Sequence, residues 1–210
     1  MNILCHRGRW SRQDEKNTLL ALLGALVRGL GVETDVRDYR GELVVSHDPP
    51  VGREITLEEL LEEYSRMNSS VTLALNVKAD GIGGLLKSQL AKHGISNYFV
   101  FDMSAPEAYQ YVRTEMSLFT RQSEFEPMPI FEKEAKGIWL DAFLDEWYSL
   151  DVIKRGIDAG KKVAIVSPEL HGRDHDSLWS KIRTMDNAYL GELYLCTDMP
   201  DEAIEYFNGN

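Results

Sequence analysis

The run Val32–Arg37 reads Val-Glu-Thr-Asp-Val-Arg and sets two carboxylates two residues apart. Side chains alternate faces along an extended strand, so Glu33, Asp35 and Arg37 share one face and Val32, Thr34 and Val36 the other. Two carboxylates on one inward face are costly unless a cation, or a basic partner such as Arg37 or Lys78, compensates them. The run Val71–Lys78 divides the same way. Val71, Leu73, Leu75 and Val77 make an apolar face; Thr72, Ala74, Asn76 and Lys78 make a mixed one. Two of the five histidines close apolar runs as well, in His6-Arg7-Gly8 and His47-Asp48. Taken singly, His6 reads as a core histidine with a satisfied hydrogen bond, and His47 as a turn residue ahead of Asp48-Pro49-Pro50.

Positioning these groups requires a regular alternation of elements, and the chain has one. Strand patterns fall at Asn2–His6, Val32–Arg37, Val71–Lys78, Tyr98–Asp102, Met116–Arg121, Gly137–Ala142, Lys162–Ser167 and Leu193–Thr197. Helical patterns fall at Thr18–Leu30, Thr56–Met67, Gly83–Lys92, Pro106–Glu115, Asp145–Ala159, Ser177–Met185 and Asp201–Phe207, with a weaker, proline-containing one at Phe125–Ala135. Thr56 followed by Glu59 is a capping box ahead of an apolar face of Leu57, Leu60 and Leu61. Gly31, Gly94 and Gly160 stand just past helical runs, where a left-handed cap favours glycine. Strands alternating with helices predict an α/β protein with parallel strands. Eight such units predict a single (β/α)8 TIM barrel with short loops, spanning 1–210 as one domain, since such barrels usually take about 250 residues. A doubly wound open sheet shares the alternation. In a barrel, Glu33, Asp35, Asn76 and Lys78 fall at the C-terminal ends of strands, where catalytic groups lie.

Composition narrows the partners. The chain has 210 residues, 43% of them hydrophobic and 27% charged, enough for one good core. A formal charge of -11 disfavours nucleic acid and anionic membranes, while leaving room for a local basic pocket that holds a phosphate. Cys5 and Cys196 are no disulfide framework and read as buried thiols. No stretch has the apolar length of a signal peptide or a membrane span, so the expected compartment is the cytoplasm.

In order, these pieces resemble the glycerophosphodiester phosphodiesterase family. The resemblance is carried by His6-Arg7-Gly8 at a strand end, Asn17-Thr18 at a helix start, Glu33-Thr34-Asp35-Val36 on the second strand, a turn at Arg40-Gly41, and Val44-Val45-Ser46-His47-Asp48. Asn76-Val77-Lys78 stands where the family has Glu-x-Lys, and Thr197-Asp198-Met199-Pro200 matches its TDxP. The dense part of the match covers about the first quarter of the chain. The resemblance implies a TIM barrel that hydrolyses a small phosphodiester with a divalent metal. By position, His6 and His47 would be the general acid/base pair, imidazole titrating at ~6.5 when unperturbed. Glu33, Asp35 and Asn76 would hold Mg²⁺ or Ca²⁺ through hard oxygen atoms. Arg7 and Lys78 would hold the phosphate. The resemblance further implies attack by the neighbouring glycerol hydroxyl, giving a cyclic phosphate that water opens.

Three departures stand out. Asn76 replaces a carboxylate, Lys16 stands where the family has glutamate, and the insertion after the His-Asp strand is reduced to Pro49–Thr56 plus one helix. They imply weaker metal binding and a substrate preference that differs from glycerol diesters. They also leave an alternative, a non-hydrolytic barrel that binds a phospho-ligand; retention of both histidines favours the enzyme. A lyase that stops at the cyclic phosphate would need an apolar rim for lipid chains, which the sequence does not identify. Further along, Asp141 could supply the charge that Asn76 lacks or make a loop contact, and Arg121 is a candidate for binding a substrate anion. His171 and His175 lie in a polar loop after the seventh strand, and His93 near a helix end reads as structural. Trp139 and Phe143 read as packing.

Overall fold

The computed structural model describes residues 1–209, and contacts divide the chain into two compact units with the boundary inside the first strand. The N-terminal unit, residues 5–118, holds the end of β1 (Asn2–His6), then α1 (Leu19–Val27), β2 (Gly31–Tyr39), β3 (Glu42–Val45), α2 (Leu57–Arg66), β4 (Leu73–Val77), α3 (Gly83–Lys92), β5 (Tyr98–Phe101) and α4 (Ala105–Arg113). The other unit, residues 1–4 with 119 onward, holds β6 (Phe119–Gln122), β7 (Gly137–Leu140), α5 (Leu150–Asp158), β8 (Lys162–Val166), α6 (Asp176–Arg183), α7 (Asn187–Gly191), β9 (Leu193–Thr197) and α8 (Pro200–Asn208). Eight parallel strands, linked mostly through helices, put the chain in the (β/α)8 class.

Within the N-terminal unit, β2 lies between β1 and β4, and β5 follows β4. The parallel register sets Glu33 against Ala74, Asp35 against Asn76 and Val36 against Val77. Beyond Val36 the strand continues as an antiparallel hairpin with β3, pairing Arg37 with Val44 and Tyr39 with Glu42. This pairing carries β2 past its expected end at Arg37. Arg40 and Gly41, at φ 52° and 87°, make the expected turn, and two successive positive φ values suit the twist of a hairpin. In the C-terminal unit β6, β7, β8 and β9 pair consecutively, all parallel.

The core is the apolar face that the alternation predicted. Leu73, Leu75, Val100 and Phe101 are fully buried, as are Leu57, Leu60 and Leu61 on α2. Each such side chain contributes about 1.5–3 kcal/mol of transfer free energy, before the entropy of ordering it. Thr56 caps α2, accepting from Glu59 N while the Glu59 carboxylate accepts from Thr56 N, as the capping box required. Gly94 and Gly160 take left-handed caps, at φ 66° and 77°. The third expected cap is corrected: Gly29, at φ 70°, ends the turn after α1, and Gly31 is already the first residue of β2. The expected helix at Phe125–Ala135 is also absent, giving way to turns between β6 and β7. Two prolines in that stretch withdraw backbone donors. The short α7 was not expected from the sequence. Both cysteines are free and buried. No helix among the described residues is long and apolar enough to cross a membrane.

Candidate active site

All seven sequence-predicted site residues lie in the N-terminal unit, and most of them meet at the strand ends. Their placement starts with Gly8. Its φ is 93°, and a Cβ there would stand 2.6 Å from the Ala21 carbonyl carbon. Glycine therefore lets the chain leaving β1 press against the backbone of α1. Arg9 N donates to Ala21 O at 2.8 Å and Asn17 N to Arg7 O at 3.0 Å, closing that loop over the end of β2. Arg7 N donates to Glu33 O at 2.9 Å, which fixes Arg7 beside β2.

Glu33, Asp35 and Asn76 are buried. Asn76 Nδ2 donates to Glu33 Oε1 at 3.3 Å, and His6 Nε2 stands 3.9 Å from Glu33 Oε2. Asp35 collects the positive charge: Arg7 Nε is 2.9 Å from its Oδ2, and Lys78 Nζ is 3.8 Å from its Oδ1. Lys78 also pairs with Asp102 at 3.0 Å. Of the two basic partners open to the carboxylates in the sequence, the structure uses Lys78. Arg37 instead donates to the His47 carbonyl at 3.0 Å. Burial, and then the neighbouring Asp35 charge, push the Glu33 carboxyl up to about 7, against the opposing pull of His6, Arg7 and Lys78.

Three buried oxygen atoms in this cluster accept no hydrogen bond: Glu33 Oε2, Asp35 Oδ1 and Asn76 Oδ1. Unsatisfied buried acceptors are rare and costly. Hard oxygen donors of this kind fit Mg²⁺ or Ca²⁺. Among the described residues, no group of three or more His, Cys, Asp or Glu side chains is arranged as a metal centre, so the third oxygen would be an amide.

His47 stands apart from this cluster. It follows β3, is largely exposed, and its Nδ1 lies 2.9 Å from Asp48 Oδ1. With Arg7 and Asn17 it lines a cavity of about 570 Å³ whose walls also include Lys16, Arg53 and Glu54.

The sequence reading gave no site role to Asn17 or Asp102. Asn17 Nδ2 donates to Asp35 Oδ2 at 2.9 Å, and its Oδ1 accepts from Thr34 Oγ1 at 2.8 Å, so one amide locks the second carboxylate. Its φ of 61° is a conformation asparagine tolerates better than most residues. Its place in the Asn17-Thr18 motif was the available signal. Asp102, at φ 73°, had none beyond its position at a strand end.

The later candidates lie in the C-terminal unit and make their own contacts there. Asp141 accepts from Ala142 N at 2.8 Å and meets His171 Nε2 at 2.7 Å, a loop contact. Arg121 pairs with Glu126. His175 Nε2 is 3.4 Å from Glu202, and its ring packs against Trp179 with centroids 4.0 Å apart. Phe143 packs against Phe125 and His171, and Trp139 is buried. In the N-terminal unit, His93 meets Glu58 at 2.9 Å, a structural contact.

No family model and no curated protein matches the sequence. Solved structures do. A glycerophosphodiester phosphodiesterase from Parabacteroides distasonis superposes with a TM-score of 0.75 at 16% identity, over 99% of this chain and 96% of that one. One from Agrobacterium tumefaciens gives a TM-score of 0.73 at 20% identity, over 99% of each chain. An Oleispira antarctica phosphodiesterase, in complex with its product sn-glycerol-3-phosphate, gives 0.72 at 16% identity, over 100% of this chain and 97% of that one. Over almost its whole length, this chain has the (β/α)8 fold of the glycerophosphodiester phosphodiesterases.

Proposed function

We propose that the chain is a phosphoric diester hydrolase of the glycerophosphodiester phosphodiesterase family, acting on a small glycerophosphodiester. The observation that carries this reading is the strand-end cluster of Glu33, Asp35 and Asn76, with three unsatisfied buried oxygens beside the cations Arg7 and Lys78. Such a cluster suits a phosphate and a hard cation better than a packed core. A fold shared with glycerophosphodiester phosphodiesterases supports it.

In this reading Arg7 offers a planar donor fork to the phosphate and Lys78 a point charge. Asp35 and Asp102 hold those two cations in place until substrate arrives. His6 and His47 are the acid/base pair. Asp48, against His47 Nδ1, orients that ring and leaves Nε2 to exchange the proton. One histidine takes the proton of the neighbouring glycerol hydroxyl as its oxygen attacks phosphorus, and the other protonates the departing alcohol. Water then opens the cyclic phosphate, with the proton roles reversed. Glu33, Asp35 and Asn76 would hold Mg²⁺ or Ca²⁺, which would neutralise charge on the phosphoryl oxygens.

A second reading, a phospho-ligand-binding barrel without turnover, draws on one observation. Without a metal, Asp35 is already compensated by Arg7 and Lys78, and Glu33 receives the Asn76 amide. Hydrolysis assays on glycerophosphodiesters and an aryl phosphodiester, with Mg²⁺, Ca²⁺ or EDTA, separate the two. The hydrolase reading expects metal-dependent turnover that falls by about 10²–10⁴-fold in His47→Ala and is lost in Glu33→Ala. Turnover surviving both EDTA and Glu33→Ala would remove the metal from the reading. Tight phosphate-ester binding without turnover would establish the binding barrel.

A further inference from the structure

We infer that Arg37 is a positioning residue for His47: by donating to the His47 carbonyl it holds the bend that sets the imidazole against Asp48. The inference rests on the hydrolase reading above and adds to it a residue that acts through the exposed member of the acid/base pair.

The need for such a residue follows from where His47 stands. The side chains of His47 and Asp48 are 46% and 87% exposed. A contact between two solvated groups is screened and holds little by itself. The two residues are also neighbours in sequence, and neighbouring side chains on an extended chain point to opposite faces. Bringing Nδ1 of one to 2.9 Å from Oδ1 of the next therefore requires a bent backbone. The chain does bend at His47 and Asp48, just past β3.

Three hydrogen bonds hold that bend. Ser46 N donates to Asp35 O at 3.0 Å, which ties its start to β2. Ser46 Oγ donates to the Asp48 carbonyl at 2.7 Å and spans it. Arg37 Nε donates to the His47 carbonyl at 3.0 Å, and of the three this bond is the one made to His47 itself. Arg37 is a firm anchor, because its backbone is paired with Val44 in the hairpin of β2 and β3. Its planar guanidinium makes the bond directional. Pro49 and Pro50 follow the bend and have no N–H with which to hold it from the far side. A carboxylate only accepts, so the Asp48 contact puts the imidazole proton on Nδ1 and leaves Nε2 as the basic nitrogen. Arg37 thus fixes, through the backbone, which nitrogen of His47 is available for proton transfer.

The test measures glycerophosphodiester hydrolysis in Arg37→Ala, Arg37→Lys and the double variant Arg37→Ala/His47→Ala, with melting temperatures to show that each is folded. In Arg37→Ala, kcat should fall by about 10–100-fold with KM within about twofold of wild type, because a misplaced acid/base group costs rate and not binding. Arg37→Lys, which keeps a donor, should recover part of the loss. The double variant should be no slower than His47→Ala alone, as expected of two residues that act as one unit. Losses that multiply in the double variant, or a higher KM at unchanged kcat, overturn the inference while leaving the hydrolase in place. A second readout needs no turnover. Two-bond ¹H–¹⁵N spectra in EDTA at about pH 9, where imidazole is neutral, report the tautomer of His47, assigned by its absence in His47→Ala. Wild type should carry the proton on Nδ1, and Arg37→Ala should lose that preference. An unchanged tautomer overturns the inference. If no diester is turned over, the hydrolase reading falls, and this spectrum alone decides whether Arg37 sets the ring.

Discussion

The Glu33 carboxyl is the residue on which the chemistry of the site turns, because it is buried beside a second carboxylate and titrates at about 7 instead of 4.5. The consequence for stability has a definite sign. Between pH 4.5 and 7 the folded protein keeps a proton that the unfolded chain has released. This contribution is therefore complete below about 4.5 and is lost as the pH climbs through 7. In EDTA, the melting temperature should fall over that window, and Glu33→Gln, which carries no titrating proton, should flatten the fall. A slope unchanged in Glu33→Gln would mean that other groups carry it. The sequence showed half of this arrangement. Strand alternation put Glu33 and Asp35 on one face and demanded a compensating charge, and Lys78 supplies part of it. It could not show that Arg7 turns back onto Asp35, or that Asn17 bridges Asp35 and Thr34. Both residues have positive φ, at 58° and 61°, and that loop geometry follows no side-chain period.

The loop from β1 to α1 places Arg7 and Asn17, and Gly8 decides whether that loop can form. A methyl group at Gly8 would fall 2.6 Å from one backbone atom of α1 and 2.8 Å from two others, and backbone cannot step aside as a side-chain tip can. Gly8→Ala should lose about 3 kcal/mol, from overpacking and from strain at φ 93°. Gly29→Ala is the control: φ is 70° there and nothing lies within 4 Å, so only the left-handed penalty of about 1–2 kcal/mol applies. Chemical denaturation of both variants gives the comparison, and equal losses would mean that the close approach to α1 carries no weight. Element types were largely legible in the sequence, because hydrophobic periodicity and the Thr56–Glu59 box are local signals. Element ends were less so. Pairing with β3 prolonged β2, and glycine at either of two neighbouring positions could have ended α1. At Phe125–Ala135 the apolar spacing suggested a helix that the prolines did not allow.

At the scale of the whole molecule, the question is whether a cation bound at the strand ends stabilises the entire fold, and Asn76→Glu is the variant that answers it. The substitution places a third carboxylate beside Glu33 and Asp35, each at most 2% exposed. Without a cation, a further buried charge lacking its own partner costs about 3–5 kcal/mol, less whatever protonation relieves. A chain of 210 residues converts each kcal/mol into roughly 2–4 °C of melting temperature. In EDTA the variant should therefore melt several degrees below wild type, and further below it at pH 8 than at pH 5, where protonation removes the repulsion. Adding Mg²⁺ or Ca²⁺ reverses the order of effects. A ligand bound only by the folded state stabilises it by about 2.7 kcal/mol at a hundredfold excess over Kd, and a third carboxylate lowers that Kd. The cation-induced rise in melting temperature should thus be larger in Asn76→Glu than in wild type, where Asn76 offers a neutral oxygen that accepts no hydrogen bond. A rise of the same size in both would take Asn76 out of the ligand set. No rise in either would leave the compensation of the carboxylates to the protein's own groups, Arg7 and Lys78 on Asp35 and the Asn76 amide on Glu33, and the cluster would then be a cationic clamp for phosphate that works without a metal.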